Sequence, residues 1–224
     1  MSTEYDTLDA VFAARFSCRA FRPDPVAQDD IERIIALARR VPSWCNAQPW
    51  QVVITRGDET DRFRRALQLE VESASHTPDI PFPDSYSGVY QARRRTCGFQ
   101  LYESLGIDRA DRGGRNAQMM RNFALFDAPH VAIITSPAEL GPYGAMDCGG
   151  FVTAFTVAAQ SLGIATIPQA AIASYAPFVH RHFDIAEDRL VLCAISFGYG
   201  DMSDPANGFR TERAEIDEIV DWRG

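Results

Sequence analysis

Lysine is missing from this chain. All 22 of its basic residues are arginine, in a sequence of 224. The absence excludes a Schiff-base or pyridoxal-phosphate lysine, a Ser-x-x-Lys nucleophile pair and a P-loop ending in Gly-Lys-Ser/Thr. Any phosphate held here must be held by arginine, by backbone N–H groups or by hydroxyls. An arginine-rich proteome would account for most of this bias, yet the exclusions stand whatever its origin. Positive charge is also in deficit. Thirty acidic residues give a formal net charge of −8, which argues against a sequence-independent grip on DNA or RNA. No apolar run reaches the ~18 residues of a membrane span. The opening MSTEYDTLDA is acidic and has no apolar signal core, so a cytoplasmic location is expected. Cys18, Cys45, Cys97, Cys148 and Cys193 are odd in number and unclustered, which fits reduced thiols rather than a disulfide framework or a zinc site. His180 and His182 flank Arg181 without a third ligand and read as surface residues.

Apolar residues make up 46% and charged residues 23%, the balance of a globular chain. The length suits a single domain over 1–224 with a substantial core. Residues 26–41 read as an amphipathic helix. Ile31, Ile34, Ile35 and Ala38 share one face, Asp29, Asp30 and Glu32 lie near its start, and Pro42 follows its end. WQVVIT (50–55), HVAIIT (130–135), IATIPQA (164–170) and RLVLCAISFG (189–198) are apolar runs that predict strands. Helical patterns fall at 58–72, 88–106, 114–126 and 149–162, the last with Asp147 as a candidate cap. Between His76 and Ser87, three prolines mark a long loop of the kind that often forms a lid. The tail from Asp201 is irregular and ends in a short helix holding Ile216, Ile219 and Val220. Alternating strands and helices predict an α+β (α/β) fold with one layer of sheet between helices.

No His-Glu-x-x-His, Gly-x-Ser-x-Gly or Cys-x-x-Cys occurs. GYGDMS (198–203) follows a strand, but Ser203 replaces the third glycine of a dinucleotide-binding loop. Asp204, Pro205 and Asn207 make it a turn instead. Three positive clusters remain. In Arg15-Phe16-Ser17-Cys18-Arg19, two guanidiniums flank a hydroxyl and could hold a phosphate or a polarised ring edge. A solvated helix face is the competing reading. Pro42-Ser43-Trp44-Cys45-Asn46-Ala47-Gln48-Pro49-Trp50 offers amides suited to an aromatic heterocycle, or is an ordinary helix-to-strand loop. Arg210 and Arg213 could converge on one anion, or form a surface turn salt-bridged to Glu212 and Glu215.

Together these clusters resemble the FMN-dependent nitroreductase family. RFSCRAFRPDPV, a helix, and then RRVPSWCNAQPWQVVIT are similar to that family's Arg-x-Ser-x-Arg/Lys and Pro-Ser-x-x-Asn-x-Gln-Pro-Trp signature. The likeness continues through IPQA and SFGYGD…NGFRTER. YQARRRTCGFQLYESLGI…RNFALFDAPHV looks like the subgroup that reduces nitroaromatic acids. The resemblance implies a nitroreductase-like mixed central sheet of four to five strands flanked by helices. It also implies an intertwined homodimer whose C-terminal arms, here about 201–224, embrace the partner, with FMN at the interface. By position, Arg15, Phe16, Ser17 and Arg19 would hold the FMN phosphate and one ring edge, and Arg210 and Arg213 would complete the clamp. Pro42, Ser43, Trp44, Asn46 and Gln48 would approach the flavin from the neighbouring subunit. Pro168, Gln169 and Ala170 match the strand end whose backbone N–H meets flavin N5, and Asn122 matches a contact to the pyrimidine edge. No side chain need act as nucleophile.

The activity implied is ping-pong two-electron reduction of a nitroaromatic or similar electron-poor aromatic, with NADH or NADPH as reductant and FMN as carrier. A segment from about 73 to 126 is expected to wall the substrate site. Trp44, Tyr86, Tyr90, Phe99, Tyr102 and Phe123 are its stacking candidates, with core packing as the alternative for Phe99 and Phe123. Arg93, Arg94 and Arg95 could attract a substrate carboxylate or form a solvated helix face. Rival readings are other FMN chemistry of the same family (reductive dehalogenase, enone reductase, oxidase) or a non-catalytic FMN-binding sensor. No metal, nucleic acid or membrane partner is expected.

Overall fold

A computed structural model describes residues 3–224; Met1 and Ser2, which open the acidic N-terminus, lie outside the described residues. The organising strand is β2 (His130–Pro137), whose side chains alternate between two apolar clusters. Ala132 and Ile134 enter one, Val131 and Ile133 the other. A strand covered on both faces has no polar side, so it appears in sequence as an unbroken apolar run. It pairs antiparallel with β1 (Gln51–Ile54) and β4 (Arg189–Gly198), and β4 pairs antiparallel with β3 (Ala165–Gln169). The order is β1-β2-β4-β3. A parallel bridge between Ser17 and Thr166 extends the sheet beyond β3.

Helices α2 (Gln28–Ala38) and α6 (Gly141–Ser161) cover one face through Ile31, Ile34, Phe151 and Phe155. On the other face lie α3 (Asp58–Ser73), the short α7 (Ala170–Ala173) and α8 (Ala176–Phe183), contributing Phe63, Leu67, Ile172, Phe178 and Val179. Truncating any of the fully buried phenylalanines to alanine would cost about 3–5 kcal/mol. The N-terminal α1 (Glu4–Ala14), closed by a Thr3–Asp6 capping box, is a helix the sequence reading did not include; its Tyr5, Leu8 and Phe12 are exposed. The remaining helices are α4 (Gly88–Ser104), α5 (Arg112–Met120) and α9 (Ile216–Ile219).

Several sequence expectations need correction. The pattern at 114–126 overran: α5 ends at Met120, and Leu125, Phe126 and Asp127 take positive φ (56°, 50° and 63°) to turn the chain into β2. α6 begins at Gly141, so Asp147 lies inside the helix instead of capping it. His180 and His182 are half-buried rather than on the surface. Their Nε2 atoms lie 3.0 Å from Asp79 Oδ2 and Glu59 Oε1 respectively.

Candidate functional site

The edge strand β3 positions the first arginine cluster. Cys18 N–H donates to Thr166 O at 3.0 Å, and Phe21 forms an antiparallel bridge with Gly200. Residues 15–21 are therefore extended rather than a helix face. Alternation sends Cys18 and Ala20 into the protein and leaves Arg15, Ser17 and Arg19 on the opposite side. Facing them is the C-terminal segment with Phe209, Arg210, Thr211 and Arg213. With Phe12, Ala13, Phe16 and Cys97 of α4, these residues enclose a cavity of about 290 Å³.

Four guanidiniums and two hydroxyls line this cavity, and no carboxylate does. Arg19, Arg210 and Arg213 bond to backbone or to Thr211 Oγ1, and two of them lie over rings. Arg19 Nη1 donates to Ser17 O at 3.1 Å, and Arg210 Nη1 donates to the carbonyls of Asn207 and Phe209 at 2.8 Å each. Arg213 Nη1 donates to Thr211 O, Thr211 Oγ1 and Glu212 O at 2.8–3.1 Å. The competing reading, a turn salt-bridged to Glu212 and Glu215, is not seen: neither glutamate pairs with Arg210 or Arg213 among the described residues, and Glu215 instead caps α9. The Arg210 guanidinium sits 4.0 Å from the Phe16 ring centroid, and that of Arg19 sits 5.4 Å from Phe209. Burial, and after it the positive charge of Arg213, lowers the pKa of Arg15. Burial lowers that of Arg19, with Cys97 and Cys18 opposing. Positive charge gathered without an acid is the electrostatic description of an anion site, and guanidinium forks suit phosphate oxygens.

The Pro42–Gln48 loop does not border this cavity within the chain. It is nonetheless tightly built, with Cys45, Asn46 and Gln48 at φ of 50°, 55° and 48°. Gln48 N–H donates to Ser43 Oγ at 2.9 Å. The loop is braced by Asp147, which the sequence suggested as a helix cap, and by Tyr143 and Arg189, which it did not single out. Asp147 Oδ2 accepts the Trp44 N–H at 3.0 Å, Tyr143 meets the Trp44 ring edge-on at 3.9 Å, and Arg189 Nη2 donates to Pro49 O at 2.9 Å. An aspartate within the otherwise apolar α6 was the available signal for the first. Trp44 itself is 53% exposed.

Gln169 and Asn122 meet. Gln169 is 2% exposed; its Oε1 accepts from Ser196 Oγ at 2.5 Å and its Nε2 donates to Asn122 O at 2.9 Å, while the flanking Pro168 and Ala170 are exposed. The aromatic candidates divide. Tyr86, Tyr90 and Phe99 are exposed, and Phe99 and Tyr102 line a surface hollow of about 490 Å³ where Arg109 lies 4.4 Å from the Phe99 centroid. Phe123 is 4% exposed and packs edge-on to Tyr175 at 5.4 Å, so it belongs to the core, not to a substrate wall. The three arginines of α4 are not equivalent: Arg93 pairs with Glu218 of α9 at 2.8 Å, and Arg94 sits over Tyr86. The proline-rich loop is pinned by Asp79 and covers, through Ile80–Pro83, a different cavity of about 320 Å³.

Known proteins are similar to this chain over nearly its whole length. The chain is 35% identical over 216 residues to the nitroreductase NfnB of Mycolicibacterium smegmatis, covering 95% of this chain and 91% of that protein. It is 31% identical over 219 residues to a 4-nitrobenzoate reductase of Pseudomonas putida, covering 98% and 96%. The crystal structure of the FMN-dependent NfnB from Mycobacterium smegmatis, in complex with NADPH, superposes with a TM-score of 0.94 at 32% identity, covering 99% of this chain and 100% of that one. The profile of the nitroreductase family matches residues 12–199, a stretch holding the Arg15–Arg19 wall, the Pro42–Gln48 loop and the end of β3, and the chain belongs to that family.

Proposed function

We propose that this chain is an FMN-dependent NAD(P)H oxidoreductase that reduces nitroaromatic compounds in two-electron steps. The observation that carries the reading is the cavity of four arginines and two hydroxyls with no acid. A terminal phosphate dianion supplies the charge this enclosure lacks, and the donor set fits it. Arg15, Ser17 and Arg19 would take the phosphate from one side, Arg210 and Arg213 from the other. Bound there, FMN would supply two-electron chemistry: hydride from one NAD(P)H, with protons, would take a nitro group to nitroso and water, and a second NAD(P)H in a second turnover would take nitroso to hydroxylamine. The protein's own work is to bind, orient and exclude water. Gln169, locked by Ser196 and Asn122, holds the end of β3 rigid, so that the backbone at Pro168–Ala170 is preorganised toward the flavin edge. Of the 73–126 segment, Tyr86, Tyr90, Phe99 and Tyr102 remain as aromatics able to stack on a substrate.

A cavity of about 290 Å³ takes the phosphate and its chain, and the flavin ring needs a second wall. We assign that wall to the Pro42–Gln48 loop of a second copy. An apolar groove between α1, α2 and α6, lined by Leu8, Val11, Leu37, Ala154 and Val157, supports a homodimer. Phe12 lines both this groove and the arginine cavity, so the cofactor site adjoins the dimer face. The five free thiols favour a cytoplasmic setting. The purified protein should be yellow, release FMN on denaturation and scatter light as two chains. Reduced anaerobically with NADPH, it should be reoxidised by 4-nitrobenzoate. A colourless protein indifferent to added FMN would sink the proposal, and reoxidation by halophenols or enones alone would transfer it to a rival chemistry.

A further inference from the structure

The two walls of the anion cavity come from opposite ends of the chain, and they are not equally supported. The Arg15–Arg19 wall is tied to β3. The Phe209–Arg213 wall belongs to no strand, and its position depends on the turn Pro205–Asn207. Asp204 starts that turn, its Oδ1 accepting the Ala206 N–H at 2.8 Å, and Asn207 N–H closes it onto Asp204 O at 3.0 Å. Asn207 is 1% exposed and does not line the cavity. Its Oδ1 accepts the Arg19 N–H at 2.7 Å across 188 residues of sequence. Its Nδ2 donates to Ala20 O at 2.9 Å and to Asp201 O at 2.8 Å. Its own carbonyl accepts Arg210 Nη1 at 2.8 Å. One buried residue thus bonds the backbone of one arginine and the guanidinium of another on the facing wall. An amide is the side chain for this position, because it accepts on one atom and donates twice from the other.

We propose that Asn207 is the positioning residue of the clamp, fixing the Arg210–Arg213 wall against the Arg15–Arg19 wall and thereby setting the preference for a phosphorylated over an unphosphorylated flavin. The inference rests on the FMN reading above. A wall that shifts by a fraction of an ångström spoils two-point contacts to a phosphate while leaving ring stacking intact. The test compares FMN with riboflavin, titrated into the apoprotein by quenching of flavin fluorescence, for the wild type, Asn207→Ala and Asn207→Ser. Both replacements are neutral, so neither repels the phosphate directly, and the serine variant carries the comparison if alanine does not fold. FMN affinity should fall about tenfold or more, the effect of one to two lost buried hydrogen bonds, while riboflavin affinity changes by less than about twofold. Equal losses for both flavins, or no loss for either, would overturn the role of Asn207 alone. A wild-type protein that binds riboflavin as tightly as FMN would instead overturn the arginine clamp, and this role with it.

Discussion

Replacing Arg15 with methionine separates what an anion site does from what an ordinary buried arginine does. Arg15 is half-buried, lines the cavity and carries no ion pair among the described residues. Its pKa is depressed by burial first and by Arg213 second. Without an anion, the guanidinium is therefore a cost. Removing it relieves partial desolvation and a like-charge repulsion worth a few tenths of a kcal/mol to about 1 kcal/mol at this degree of exposure. With the anion bound, the same group makes a charge-assisted contact worth about 1.5–3 kcal/mol. Arg15→Met should therefore weaken FMN by about ten- to a hundredfold while leaving the melting temperature of the apoprotein unchanged or slightly raised. Riboflavin affinity should stay within about twofold. The fall in FMN affinity with added salt should also be shallower than in the wild type, since one charge fewer is screened. An apoprotein destabilised by more than about 1 kcal/mol, with both flavins weakened alike, would show that Arg15 supports the fold and would refute the charge argument.

Three further outcomes are expected. Burial alone would lower the pKa of His180, but the Asp79 carboxylate at Nε2, the Ile185 carbonyl at Nδ1 and Glu187 together raise it. The stabilisation it gives is then complete below the ordinary value of 6.5 and lost as pH rises through the raised value. Asp79→Asn should remove that slope from a melting-temperature profile, and a slope unchanged in the variant would discount the pair. Burial lowers the pKa of His130, so its contribution has the opposite sign, falling away as pH drops below 6.5; proton NMR of the imidazoles separates the two. Burial pushes Cys18 and Cys148 up to about 11 and Cys193 up to about 12. In the native state at pH 8, alkylation should begin at the exposed Cys45, with Cys97 on the cavity wall slowed by FMN; equal labelling of Cys97 with and without FMN would separate it from the cofactor.

How much of this could be seen in the sequence depended on whether the controlling interaction was local. β4 coincides with the run 189–198, because a strand buried on both faces is apolar throughout. The arginines of 15–19 were identifiable by type and place but not by conformation. A spacing of four from Arg15 to Arg19 suits a helix face, and the pairing of Ser17 with Thr166 decided for an extended chain with alternate side chains outward. The misplaced residues share a cause. Asp147 looked like a cap because its partner, the Trp44 N–H, is 103 residues away. Phe123 resembled the stacking aromatics near it, but α5 stops short and leaves it facing Tyr175. His180 and His182 looked solvated because the carboxylates that hold them come from a loop and a helix far upstream.

Asn207 shows the same limit with more consequence. In Asp-Pro-Ala-Asn-Gly it reads as one turn residue among several, and its backbone does form that turn. Its side chain, however, bonds Arg19 and Ala20 near the opposite terminus as well as Asp201 close by. The family motifs name the groups that would meet a phosphate, whereas the distance between the two sets of arginines is governed by a residue that would touch no ligand. A lysine-free clamp makes this geometry matter more. An ammonium at the end of a flexible stem can reach a displaced anion as a point charge, but a planar fork gives its second hydrogen bond only when its base is correctly placed. The absence of lysine from the whole sequence therefore raises the demand on whatever holds the two walls in register, and Asn207 is a buried group bonded to both.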